Sequence, residues 1–168
     1  MKPYRFALPA LLLTSSFATA NAYIGIGGSY NLLDKDDFVI LNPISGQIIV
    51  GAYLNPSLAI EGRYGLGILD DEDGVTADID STLGLYFRPT IENDQSAIYG
   101  IIGFSEVMFT ETYTNGDQIS YATTSLSVGA GLLLPLSRNL NMQGEWMTLF
   151  ERPGYRISGV SFSLVRSF

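Results

Sequence analysis

From residue 23 onward, apolar and polar residues alternate one by one over much of the chain. Near the end, Val160, Phe162, Leu164 and Phe168 share one face, and Gly159, Ser161, Ser163 and Ser167 share the other. Leu126, Val128, Ala130, Leu132 and Leu134 oppose Ser125, Ser127, Gly129 and Gly131 in the same way. Ile79, Leu83, Leu85 and Phe87 oppose Asp78, Asp80, Thr82, Gly84 and Arg88. A period of two marks strands with one apolar face, and no segment sustains a helical period. The pattern predicts eight strands: Tyr23–Asn31, Gln47–Leu54, Leu58–Gly67, Ala77–Arg88, Ala97–Thr110, Ser120–Leu134, Asn139–Phe150 and Tyr155–Phe168. The fifth carries Ile98, Ile101 and Ile102 on both faces, and its parity is read with Tyr99 pointing outward.

A soluble sandwich alternates too. Here the strands hold few charges and their polar faces are built from Gly and Ser, as the interior of a narrow barrel requires. About 9–11 tilted residues cross a bilayer, and small outer-membrane barrels carry an even strand number. The connections alternate in length as well. Asn55-Pro56-Ser57 and Pro135–Arg138 are tight turns, and Pro89–Ser96 is moderately short. Leu32–Gly46, Ile68–Thr76 and Glu111–Ile119 are longer and acidic, whereas Glu151–Gly154 is short and breaks the alternation. Short turns inside and long loops outside are the rule for such barrels. The expected fold is all-β: an eight-stranded, antiparallel, up-and-down transmembrane β-barrel.

The first residues differ. Lys2 and Arg5 precede an apolar run, Phe6 to Leu13, and Thr14-Ser15-Ser16 leads into Ala18-Thr19-Ala20-Asn21-Ala22. This is the layout of a secretory signal peptide. Two Ala-x-Ala sites overlap; cutting after Ala22 is preferred and after Ala20 is the alternative. Residues 1–22 then form the signal and 23–168 the barrel domain. Losing Lys2 and Arg5 leaves seven basic against seventeen acidic residues, a charge of −10.

Composition narrows the chemistry. A net charge of −8 for the whole chain disfavours nucleic acid as a partner. The chain has no Cys and no His, which removes disulfides, thiolate sites, the commonest general base and the commonest zinc ligand. Only 15% of residues are charged while 46% are apolar, against about 25% charged in an ordinary soluble domain.

An ungapped internal repeat aligns Ser57–Tyr64 with Asn139–Trp146, each copy following a tight turn and ending in an outward aromatic. It sets Arg63 at the depth of Glu145, on strands four apart that face each other in an eight-stranded barrel. Glu61 lies two residues from Arg63 on the same inward face. The predicted lumen network comprises Glu61, Arg63, Asp80, Glu106, Gln143 and Glu145. Burying charges without partners is costly, so a mutually satisfied plug is favoured over a cation path.

Gly129-Ala130-Gly131, Pro135, Asn139-Leu140 and Gly144-Glu145-Trp146, with Tyr23-Ile24-Gly25 at the start and Phe168 at the end, resemble the small OmpA/OmpX-like, opacity-type or "porin family" barrels. The resemblance covers residues 23–168. It implies residence in the outer membrane of a Gram-negative bacterium, among outer-membrane lipid and lipopolysaccharide. It also implies that Phe168 acts as the signal read by the barrel-assembly machinery. Arg166 departs from the family's apolar or aromatic habit at that position, and at the inner interface it can snorkel. Family relatives that modify lipid A use a His-centred site, which this chain lacks.

No Gly-x-Ser-x-Gly elbow and no phosphate loop is present, and no cofactor is expected. Asp70, Asp71, Glu72 and Asp73, followed by Gly74, offer carboxylates for weak divalent-cation binding but not the spacing of an EF-hand. A solvated loop of like charges is the simpler reading, and Asp34, Asp36 and Asp37 are weighed the same way. The expected function is non-enzymatic: a monomeric barrel displaying acidic loops for adhesion, host-factor binding or envelope stabilisation. The alternative is a narrow channel for small solutes.

Overall fold

A computed structural model describes residues 21–35, 44–68, 76–93, 95–112, 118–152 and 155–168. Every regular element among them is a strand: β1 (Ala22–Lys35), β2 (Ile44–Asn55), β3 (Leu58–Ile68), β4 (Thr76–Asn93), β5 (Ser96–Thr112), β6 (Gln118–Pro135), β7 (Leu140–Arg152) and β8 (Tyr155–Ser167). Each pairs antiparallel with its sequence neighbours, and β8 pairs with β1 to close the barrel. Closure leaves no sheet edge with unpaired backbone groups, the condition for a sheet to sit in lipid.

Register sets the shape. Followed round the barrel from Ala22, it runs through Ala52, Ile60, Phe87, Ile102, Val128, Thr148 and Ser158 and returns to β1 at Leu32. The return falls ten residues beyond the start. Eight strands with that stagger tilt by about 40° and enclose a lumen just wide enough for side chains.

The two faces separate as the alternation predicts. Ile26, Leu85, Phe104 and Phe162 are all more than half exposed on the outer wall, while Ser127, Ser161 and Ser163 are buried inside. On a soluble protein that continuous apolar wall would be a liability; in a bilayer it is the lipid-facing band.

Several strands outrun their predicted ends. β1 continues to Lys35 and β2 starts at Ile44, which narrows the first long connection to 36–43. The other two contract to 69–75 and 113–117. Pairing persists because both partners remain extended past the apolar band; Lys35 still opposes Tyr155. β4 also runs through Pro89 to Asn93. Pro89 falls opposite Leu58, the first residue of β3, so its missing N–H interrupts little of the ladder. Residues 1–20, Asp36, Asp37, Asp70, Asp71, Glu72, Asp73 and Asp117 lie outside the described residues.

Candidate functional site

The densest chemistry lies in the lumen. Glu61 and Arg63 both point inward from β3, two residues apart, because a strand returns to the same face at that step. Across the barrel, β7 carries Glu145 at the matching depth. Arg63 donates from Nη1 to Glu145 Oε2 at 2.5 Å and from Nη2 to Glu145 Oε1 at 2.9 Å, a bidentate pair. Its Nε and Nη2 also donate to Glu61 Oε2, at 2.9 and 2.5 Å. One guanidinium thus clamps two carboxylates on opposite walls.

A second cation completes the cluster. Arg88, from β4, donates through Nη1 to Glu61 Oε1 at 2.6 Å and through Nη2 to the Tyr53 hydroxyl at 3.0 Å. Its guanidinium carbon lies 4.9, 5.6 and 4.8 Å from the ring centres of Tyr23, Tyr53 and Tyr99. Tyr23 donates to Glu61 at 2.5 Å, and Tyr99 donates to Glu145 at 2.7 Å. Ser161 adds a longer donation to Glu145 at 3.2 Å. Two arginines and two glutamates cancel in charge. The bidentate and charge-assisted bonds offset the cost of removing them from water.

Small residues make room for the tyrosines. A Cβ on Gly131 would lie 2.5 Å from Tyr99 Cζ, and one on Gly51 would collide with the Tyr23 ring. Gly51 and Gly131 are therefore clearances for tyrosine side chains that lie across from the neighbouring strand. On the other side of Arg63, Tyr86 stacks at 5.1 Å and its hydroxyl meets that of Ser105 at 3.0 Å. The chain of hydroxyls continues to Ser127, which donates to the Leu149 carbonyl at 2.9 Å. Leu149 is the extra residue where the β7–β8 register shifts between Thr148 and Phe150.

The lumen is thus filled unevenly. Arg88 and its three tyrosines occupy the end bearing the short turns. Toward the long connections lies a cavity of about 30 Å³, room for roughly two waters, with Arg63 as floor and Ser29, Asn31, Ser45 and Thr82 on its walls.

Of the six residues predicted for the network, Glu61, Arg63 and Glu145 come together. Gln143 is fully buried on the same inward face, but among the described residues its amide finds no hydrogen-bond partner. Asp80 and Glu106 require correction. On β5 the odd-numbered residues point inward: Tyr99 is only 2% exposed, not outward. Reversing that parity sends Glu106 to the outer wall, between Leu83 and Thr124 in register, where the Thr124 hydroxyl donates to it at 3.4 Å. Asp80 sits where the β4–β5 register shifts between Ile79 and Ser81. It is exposed and accepts from the Thr110 hydroxyl at 2.8 Å.

Arg88, Tyr23 and Tyr53 were missed as network members. Arg88 stands on the polar face of its strand in the alternation, so parity was the available signal. Phe168 is exposed, and its amide donates to the Ala22 carbonyl at 3.0 Å. Arg166 lies on the outer wall with its guanidinium 5.9 Å from the Phe168 ring. Among the described residues no cluster of acidic side chains is arranged to hold a metal ion.

Comparison with known proteins agrees with this architecture. The family model described as an outer membrane protein beta-barrel domain matches residues 6–168. Among solved structures, Ail, the attachment invasion locus protein of Yersinia pestis, superposes with a TM-score of 0.70 at 16% identity, covering 89% of this chain and 99% of Ail. Neisserial surface protein A gives 0.74 at 12% identity, over 88% of this chain and 97% of its own. The N-terminal barrel of Pseudomonas aeruginosa OprF gives 0.61 at 13%, over 87% and 98%. No curated protein sequence matches the chain. With the closed barrel, its lipid-facing wall and the family match, the chain belongs to the outer membrane protein beta-barrel family and resides in the outer membrane of a Gram-negative bacterium.

Proposed function

We propose that the protein is a non-enzymatic, monomeric outer-membrane scaffold whose lumen is sealed and whose outer connections carry its activity. The observation behind this reading is the Arg63 clamp, with Arg88 and its tyrosines stacked beneath it. Both carboxylates of the cluster are engaged by several donors, so it serves as a brace rather than a reactive or conducting group. Function then falls to the segments that a rigid barrel can present without disturbing its own folding.

Those segments hold most of the acidic surplus: Asp36, Asp37, Asp70, Asp71, Glu72, Asp73 and Asp117, with Asp34 and Glu111 on the strands that flank them. Lys35 is the one basic residue in or directly beside these three segments. Such a surface selects basic partners on host surfaces, or joins lipopolysaccharide phosphates through divalent cations. Ail, similar in fold, has been crystallised with the heparin analogue sucrose octasulfate. A polyanion of that kind is repelled by these loops, so adhesion here is expected to use ligands of the opposite charge.

Shortening 36–43, 69–75 and 113–117 to tight turns tests the reading. Heat-modifiable gel mobility confirms that the barrel still inserts. Loss of adhesion, serum survival or envelope integrity is the expected result. If all three match wild type, the loops are not the functional surface.

A further inference from the structure

We propose that the export signal is cleaved between Ala20 and Asn21, so that the mature barrel begins at Asn21. Both Ala18-Thr19-Ala20 and Ala20-Asn21-Ala22 satisfy the small-residue rule for cleavage, and the site preferred from the sequence, after Ala22, is the one the folded barrel argues against. The Asn21 carbonyl accepts the Tyr53 amide at 3.0 Å, and the Ala22 carbonyl accepts the Phe168 amide at 3.0 Å. Ala22 is buried and opposes Ala52 as the first rung of the β1–β2 ladder. These two residues tie β1 to β2 on one side and to the last residue of the chain on the other.

Cutting after Ala22 would remove both acceptors and leave the Tyr53 and Phe168 amides without their partners. It would also place a new α-ammonium on Tyr23. The Tyr23 ring already has the Arg88 guanidinium 4.9 Å from its centre, and its hydroxyl holds Glu61. A second positive charge would then be added to the residue whose ring already carries the Arg88 contact. Cutting after Ala20 avoids both effects, because the terminus then lies beyond the last rung.

The test starts with the protein purified from the outer membrane of a Gram-negative host. N-terminal sequencing and intact mass are expected to give Asn21 as the principal first residue. Tyr23, or an uncleaved Met1, overturns the proposal. Two variants read the cleavage step by pulse-labelling, before barrel assembly bears on the outcome. Ala18→Leu spoils only the first site and is expected to slow maturation or move the first residue to Tyr23. Ala22→Leu spoils only the second and is expected to mature at the wild-type rate with the same first residue. The reverse pattern, with Ala22→Leu blocked and Ala18→Leu processed normally, also overturns it.

Discussion

The Arg63 guanidinium on β3 and the Glu145 carboxylate on β7 meet across the width of the barrel through two parallel hydrogen bonds, 82 residues apart in sequence. The aligned segments Ser57–Tyr64 and Asn139–Trp146 foretell the pairing, since each starts from a tight turn and counts upward in step. Tyr64 and Trp146, which end the two copies, stand half-exposed on the outer wall as the alternation requires.

That bridge is expected to bear on stability. Arg63→Ala leaves Glu61 with Arg88 and the Tyr23 hydroxyl, and Glu145 with only hydroxyl donors. Breaking a buried pair from one side costs about 3–5 kcal/mol, less where water enters. Chemical unfolding in lipid vesicles would measure it. Glu106→Gln, on the outer wall, is the matched control and is expected to stay within about 0.5 kcal/mol of wild type. Equal losses in the two variants would contradict the placement of these residues.

The proposed seal of the lumen makes an electrical prediction. Wild-type protein in a planar bilayer is expected to show no stable ohmic steps. Steady, ohmic conductance from correctly folded protein would replace the brace with the channel reading.

Assembly is expected to depend on Phe168. Its amide closes the seam at Ala22, and its ring stands on the outer wall beside Arg166. Deleting Phe168 should leave the chain in the periplasm or degraded, as fractionation and protease protection would reveal. Normal insertion and surface exposure of the truncated chain would count against a terminal signal.

If the acidic connections bind a basic partner or cation-bridged phosphate, attachment should weaken as salt rises, because the Debye length shrinks from about 10 Å at 0.1 M to about 3 Å at 1 M. Cell-binding assays across that range measure it. Undiminished binding at high salt would point to apolar contacts instead.

The outer wall was legible in strands β4, β6 and β8 because Leu, Val and Phe there recur on one parity. β5 was not, since Ile98, Ile101 and Ile102 fall on both faces and a tyrosine suits either a membrane interface or a polar lumen. Choosing Tyr99 as outward carried Glu106 inward with it, one error with two consequences. Asp80 failed differently: a register shift changes parity locally and leaves no mark in the composition. Arg88 was on the right face but at an unknown depth. Only the stagger of the closed barrel sets it beside Glu61, and no repeat partner announced that.

The charged cluster also divides unequally along the chain. Strands β1 to β4 contribute Arg63, Arg88 and Glu61, an excess of one positive charge; β5 to β8 contribute Glu145, one negative. Each hemicylinder therefore holds the other's counter-ion. A nascent half-barrel cannot settle its own interior, and neutrality arrives only when the two halves meet. Closure is expected to be all-or-none for that reason, and two separately made fragments, cut between Asn93 and Ser96, have an electrostatic cause to find each other.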